Sequence, residues 1–410
     1  MSSSVVVPVD PASGRISPLR VKVCVALLVL LGFSLGCSEF VVIGIETELA
    51  RAFGVGLQDV GRVMSVFALA YAICTPLLAV GTGRFRRYTL LAAYAVLFCV
   101  GNLAAAVAPT FEVLLASRVL IGAVSGAFLA LGVTFLPELL GASRTSMAIA
   151  VVYGAFSVAM VISTSAGKMI AELLDWHVAM VAVLVLSIAV SAAVLLVMPR
   201  QGAVDEPSTP REQLVLVTEP QVIAGMSVFV FGIGSVYVFY GYITPYLEQV
   251  LGMSALGASG VLVGYGVMCL ISNLAAGVLD AHFGMRALIP SFLVQALVLA
   301  GLFAAGSALV PALALIMALA LTMYLVSVPC ISMFMRIAYE RHPKALTLAS
   351  SIEPMAFNVG IAFGTAVGGA VVAGPGMQVA GLVGAVFSLV ACGLVALTLR
   401  LGRRCRTETH

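Results

Sequence analysis

The sequence predicts an all-α integral membrane protein: twelve transmembrane helices arranged as two pseudo-symmetric six-helix bundles. Length is the first observation behind that reading. About twelve apolar runs of roughly 20 residues recur along the chain, and a helix rising about 1.5 Å per residue crosses a hydrocarbon core in that length. Composition is the second: of 410 residues, 62% are apolar and 10% charged, against roughly 25% charged in a soluble domain. The third is where the charge falls. Of the 21 Lys and Arg, all but four lie in the tails and in every second gap between runs. Arg51 stands in an odd-numbered gap, and Arg62, Arg118 and Lys168 lie within apolar runs. Basic residues are retained on the cytoplasmic side during insertion, so both termini are expected there.

Taken in order, residues 1–20 are rich in Ser, Val and Pro and lack a basic start followed by an apolar core, so they read as a flexible cytoplasmic tail rather than a signal peptide. The first six spans are expected at 21–45, 60–80, 89–108, 111–136, 147–171 and 178–198, forming an N-terminal bundle over 21–198. Residues 199–219 follow as a polar linker containing Asp205, Glu206, Pro207, Pro210 and Arg211, a composition that favours an extended, solvated chain. The second set is expected at 220–245, 257–279, 287–306, 310–335, 347–372 and 379–400, a C-terminal bundle over 220–400, with 401–410 as a cytoplasmic tail. Six spans, a linker and six more suggest internal duplication. Ala79–Arg87 after the second span and Gly277–Met285 after the eighth are displaced by 198 residues. In the eleventh span Gly360, Gly364 and Gly368 lie four apart on one face, suited to close helix packing or to a sliding surface.

Several chemistries are excluded by what is missing. No basic stripe supports nucleic-acid binding. No Cys or His pair has zinc-ligand spacing. Seven of the eight Cys lie in apolar runs and the eighth, Cys405, in the tail, so no disulfide is expected. No nucleophile–base pair or phosphate loop points to an enzyme, and neither metal nor cofactor is expected.

What remains is charge where charge is costly, about 2.5–3.5 kcal/mol near mid-bilayer on the most lenient scales. Glu39, in the outer half of the first span, fits a carboxyl that binds and releases a proton; the alternative is a structural ion pair. Arg118, in the fourth span, cannot usefully deprotonate and fits an electrostatic partner in coupling. Glu353, about two turns into the eleventh span and followed by Pro354, is a second candidate proton carrier. Lys168 lies nearer a span end and reads as a snorkelling side chain, and Arg62 as structural. In the seventh span Tyr237 and Tyr240 share a face and Tyr242 flanks them, an apolar lining with hydroxyl handles suited to amphipathic molecules.

These residues resemble a known family. Leu348–Gly369 is similar to the eleventh span of the major facilitator superfamily's twelve-span drug:proton antiporters, which include sugar, nucleoside and chloramphenicol exporters. Ser38-Glu-Phe40 resembles the family's first span, Arg118 and Gly122 its fourth-span motif, Tyr242–Glu248 the end of its seventh, and Asp175-Trp-His177 its Gly-Trp-Arg after the fifth. The resemblance covers residues 20–400 and implies two bundles rocking about a central cavity, a small-molecule substrate, proton coupling through Glu39, Arg118 and Glu353, and a cavity lined by Tyr237, Tyr240, Tyr242 and Asn358. It also implies a conformational latch at Arg84, Arg86, Arg87 and Asp280, a monomer in a bacterial cytoplasmic membrane, and export by proton antiport. The departures are specific. Ala79, Gly83 and Arg86 stand where the loop motif has Gly, Asp and Gly, and Ser163 and Ser165 stand where the fifth-span motif has Gly and Pro. Those departures leave open a facilitator or importer without antiport, and more remotely a sensor that does not transport. Glu353 stands where relatives have a neutral polar residue, so a pair with Arg84 or Arg86 holding the outward-facing state is expected.

Overall fold

A computed structural model describes residues 18–81, 85–140, 142–199, 215–342 and 345–408. The described residues are helical or in turns, with no strand among them. The first half comprises α1 (Pro18–Gly44), α2 (Glu46–Phe53), α3 (Leu57–Gly81), α4 (Arg87–Ala106), α5 (Phe111–Val133), α6 (Leu136–Leu140), α7 (Ala142–Leu173) and α8 (Trp176–Val197). The second comprises α9 (Pro220–Tyr240), α10 (Ala255–Phe283), α11 (Leu288–Ala305), α12 (Leu309–Met323), α13 (Ser327–Arg341), α14 (Leu346–Ala373) and α15 (Ala380–Glu408).

Eleven stretches are apolar and long enough to cross a bilayer, but one of them runs 51 residues, from Ala255 to Ala305. At about 1.5 Å per residue that is more than twice a membrane core. It is two spans, α10 and α11, turned back at Gly284, whose φ of 55° suits a residue without Cβ. The expected twelve spans are therefore present among the described residues. Their starts carry local signals: Thr110, Asp175 and Ser254 accept from the amides of Val113, His177 and Gly257, as N-cap side chains do for orphan helix donors.

The halves repeat one packing scheme. In the first, α1 packs on α7 and α8, α3 on α5, and α4 on α5 and α8. In the second, α9 packs on α14 and α15, α10 on α12, and α11 on α12 and α15. Each pair in the second list is its counterpart in the first advanced by six spans. The halves meet through α3 against α14 and through α7 against α10, a reciprocal contact that a two-fold relation between repeats requires. Outward-facing Leu97, Val185, Leu274, Leu297 and Leu389 stay exposed, an apolar belt for lipid.

Four details differ from the sequence expectation. The first connection contains α2, a short helix burying Glu46, Thr47 and Leu49. The tenth span is broken into α12 and α13 around Tyr324–Val326 and runs on to Arg341; Pro329 has no N–H for an unbroken helix and its ring would crowd the carbonyl one turn earlier. Pro245 has the same effect on the seventh span, which leaves α-helical geometry after Tyr240 and continues as a π-turn over Tyr246–Val250. The last helix runs to Glu408 instead of releasing a tail at 401, since Arg propagates helix well and its charge suits a helix C-terminus. Most of the expected N-terminal tail, residues 200–214 of the linker, and Arg84 lie outside the described residues.

Candidate functional site

Near the centre of the first half, α5 presents Arg118, 1% exposed, to α1. Its guanidinium donates to two backbone carbonyls, Ser38 at 2.6 Å and Glu39 at 3.0 Å. It also stacks over the Phe67 ring at 4.6 Å, a geometry that favours Arg over Lys. The Ser38 hydroxyl donates to Asn102 Oδ1 at 2.7 Å, and Asn102 Nδ2 donates to the Phe98 carbonyl. The segment around Glu39 is thus held from α5 through its backbone and from α4 through the Ser38 side chain. Glu39 is itself 3% exposed, yet the arginine satisfies carbonyls and leaves the carboxylate free. Arg118 and Glu39 interact through space without a direct side-chain pair.

The second half places two tyrosines near this carboxyl. Tyr237 and Tyr324 are within its electrostatic reach. Tyr237 meets Tyr240 edge-on at 5.5 Å, Tyr240 stacks on Tyr265 at 4.5 Å, and Tyr324 stacks on Phe357 at 5.7 Å. The Tyr237 hydroxyl and Asn358 Oδ1 are buried without partners, while Asn358 Nδ2 donates to the Pro354 carbonyl at 3.0 Å. A buried donor or acceptor without a partner is destabilising, by about 1–3 kcal/mol. Tyr265, Tyr324 and Phe357 are not in the sequence expectation, because they come from three different spans. Tyr242 was expected among these rings and lies elsewhere: its hydroxyl donates to the Thr365 carbonyl at 3.0 Å, and it packs against Gly61 and Gly368, at the end of the bundle opposite the termini.

That distal end is closed by polar contacts between the halves. Lys168, fully buried in α7, pairs with Glu48 of α2 at 2.5 Å and with Glu248, which follows the seventh span. Glu172 lies 3.8 Å from the same ammonium. Thr47 donates to Glu248 at 2.8 Å and Thr244 to the Ile43 carbonyl at 2.6 Å. Ser259 donates to the Ser165 carbonyl at 2.9 Å, and the Ser65 and Thr365 hydroxyls are 2.6 Å apart. Lys168 therefore does not snorkel. The signal for this cluster was present but faint: Glu48 and Glu248 are 200 positions apart in sequence, close to the displacement relating the halves.

The other expected site residues are scattered. Glu353 is half-buried on α14 and faces Ser327 at the start of α13. It makes no ion pair with Arg86, which is exposed at the N-terminus of α4. Arg87 opens that helix. Asp280, near the end of α10, accepts from Ser332 at 2.6 Å within its own half and lines a cleft of about 290 Å³ with Arg286 and Arg336. The glycine face of α14 packs inside the second half, with Gly360 and Gly364 against α9, so it serves static packing and not sliding between halves.

A family model described as Major Facilitator Superfamily matches residues 28–345. The chain belongs to the major facilitator superfamily. Members of this family are membrane transporters and not enzymes. Among curated relatives, the chain is 28% identical to the uncharacterized MFS-type transporter YtbD of Bacillus subtilis, over 90% of its own length and 93% of the relative's. It is also 28% identical to the inner membrane transport protein YdhP of Escherichia coli, over 95% and 98%. At 23% identity, over 90% and 91%, it resembles a probable sugar efflux transporter of Mannheimia succiniciproducens. Its fold matches the crystal structure of a bacterial homologue of the human lysosomal transporter Spinster, with a TM-score of 0.72 at 14% identity, covering 94% of this chain and 98% of that one.

Proposed function

We propose that this protein exports a small amphipathic molecule in exchange for protons, by alternating access of the central site to the two sides of a bacterial cytoplasmic membrane. Both termini face the cytoplasm, in keeping with the distribution of Lys and Arg, and the distal end faces outward. The observation that carries the reading is the Glu39 carboxylate: buried, without a hydrogen bond, and opposite a ring cluster of the other half. An ion pair would make such a carboxyl a fixed structural charge. Free of one, it can take a proton when the site faces outward and lose it when the site faces inward. Arg118 fixes the backbone that carries Glu39 and supplies the positive field that favours proton release. Tyr237, Tyr240 and Asn358 line the substrate site, and Glu353 is a second carboxyl on the same path. Arg86, Arg87 and Asp280 lie at the terminal end, where a latch must act once the distal end opens. The protein works as a monomer, and the efflux names among its relatives support outward transport.

The test is uptake of candidate compounds into inside-out vesicles under an imposed proton gradient. Gradient-driven accumulation is expected for the unaltered protein and is expected to be lost in Glu39→Gln. Accumulation that survives this change moves the coupling to Glu353, and transport indifferent to the gradient moves the protein to the facilitator class.

A further inference from the structure

The distal closure contains one carboxyl that its ion-pair network does not use. Glu46 opens α2, outside the membrane-spanning stretches. It is 1% exposed, and both of its carboxylate oxygens are buried without a hydrogen-bond partner. The charged and titratable groups around it offer no neutralising partner. Glu48 faces it from the same helix and Tyr240 and Tyr242 from the end of the seventh span, while on α3 the exposed Arg62 pairs with Asp59. Lys168, the buried cation of this layer, is shared by Glu48, Glu248 and Glu172. Three carboxylates already surround one ammonium there, so ionising Glu46 would add a further uncompensated negative charge.

Part of the cover over Glu46 comes from the other half, through Tyr240 and Tyr242. The turn Ile243–Pro245 packs on α2, and Thr244 is tied to the Ile43 carbonyl. Separating the halves at this end therefore exposes Glu46 to water. We infer that Glu46 is a proton-binding site of the distal gate, separate from Glu39, and that a proton held there stabilises the closed end.

Burial, with the Glu48 carboxylate adding to it, holds the Glu46 carboxyl well above the usual carboxylate range. With the gate open and the side chain in water, the ordinary range returns. The closed state thus binds the proton more tightly than the open one. Its advantage is complete below the open-state value and is lost as pH rises through the closed-state value, by up to about tenfold in the closed-to-open ratio per pH unit. The proton enters and leaves on the distal side, so this site senses the pH of that side and carries no proton across.

Hydrogen–deuterium exchange of α2 and the start of α10, corrected for intrinsic rates, tests this on the purified full chain, together with Glu46→Gln and Glu39→Gln. In the unaltered protein and in Glu39→Gln, protection of both segments is expected to fall as pH rises above the ordinary carboxylate range towards the raised closed-state value, by up to about tenfold per unit. In Glu46→Gln the fall is expected to be shallower than in either, since only the proton linked to Glu39 remains. A second measurement needs no gate motion: the infrared carbonyl band of a buried protonated carboxylic acid should be present at neutral pH, persist in Glu39→Gln and lose the Glu46 contribution in Glu46→Gln. Equal pH dependence in the unaltered protein and Glu46→Gln overturns the inference, as does an unchanged infrared band. Because Glu39→Gln is measured alongside, a failure of the antiport reading leaves this result separately legible.

Discussion

Arg118 and Lys168 are both buried cations in spans, and the structure gives them opposite roles. Arg118 offers planar, divergent donors, and the two carbonyls it holds and the ring it covers use that shape. Arg118→Lys keeps the charge but cannot reach both carbonyls while stacking. It is expected to lose about 1.5–3 kcal/mol of that anchoring and to lower proton-coupled transport while the protein still folds, read by transport assay beside thermal melting. Lys168 acts as a point charge between Glu48 and Glu248. Lys168→Met leaves two half-buried carboxylates without their counter-ion, which is expected to destabilise the closed distal end by up to about 3 kcal/mol. Faster hydrogen exchange in α2 checks this, with Lys168→Arg expected to restore most of the protection.

At the scale of the element, α14 shows how small residues set helix spacing. A Cβ at Gly364 would meet the Gly234 carbonyl oxygen at 2.5 Å and the Tyr237 Cβ at 2.9 Å, so Gly364→Ala must push α14 away from α9. A cost of about 1–3 kcal/mol is expected, read as a lower melting temperature in detergent. Gly393 in α15 has nothing within 4 Å of the same construction. There Gly393→Ala is expected to be stabilising, by about 0.5–1 kcal/mol from backbone entropy alone. The broken tenth span matters in another way: the turn after α12 puts Tyr324 beside Phe357 and makes its amide donate to Ser272 Oγ at 3.0 Å, so the break itself builds part of the ring cluster.

For the whole molecule, the reciprocal packing of α3 on α14 and α7 on α10 is the seam about which the proposed alternating access would rock the two halves. The distal contacts hold one end of that motion. Ser65 and Thr365 bring their hydroxyls to 2.6 Å across the halves, so Ser65→Cys together with Thr365→Cys places two thiols where a disulfide can close. Oxidation is expected to stop transport and reduction to restore it, with each single variant insensitive to oxidant. Transport that continues in the oxidised double variant would mean that this end does not open during the cycle.

The sequence by itself determined the spans, the duplication and the main charges in the first half. Apolar run length and alternate-gap basic residues are local properties, each enforced by the bilayer one helix at a time, and Glu39 and Arg118 stood out because a charge inside an apolar run is costly wherever the helix packs. Tertiary structure decided what those charges meet. It showed that Arg118 holds carbonyls and leaves the Glu39 carboxylate free, that Tyr242 belongs to the distal closure and not to the ring cluster, and that Lys168 joins acids 120 and 80 positions away. It also uncovered Glu46, which in sequence is an ordinary loop acid. Partners brought together from several helices have no spacing that a single helical period can reveal, because their proximity is set by how whole helices pack.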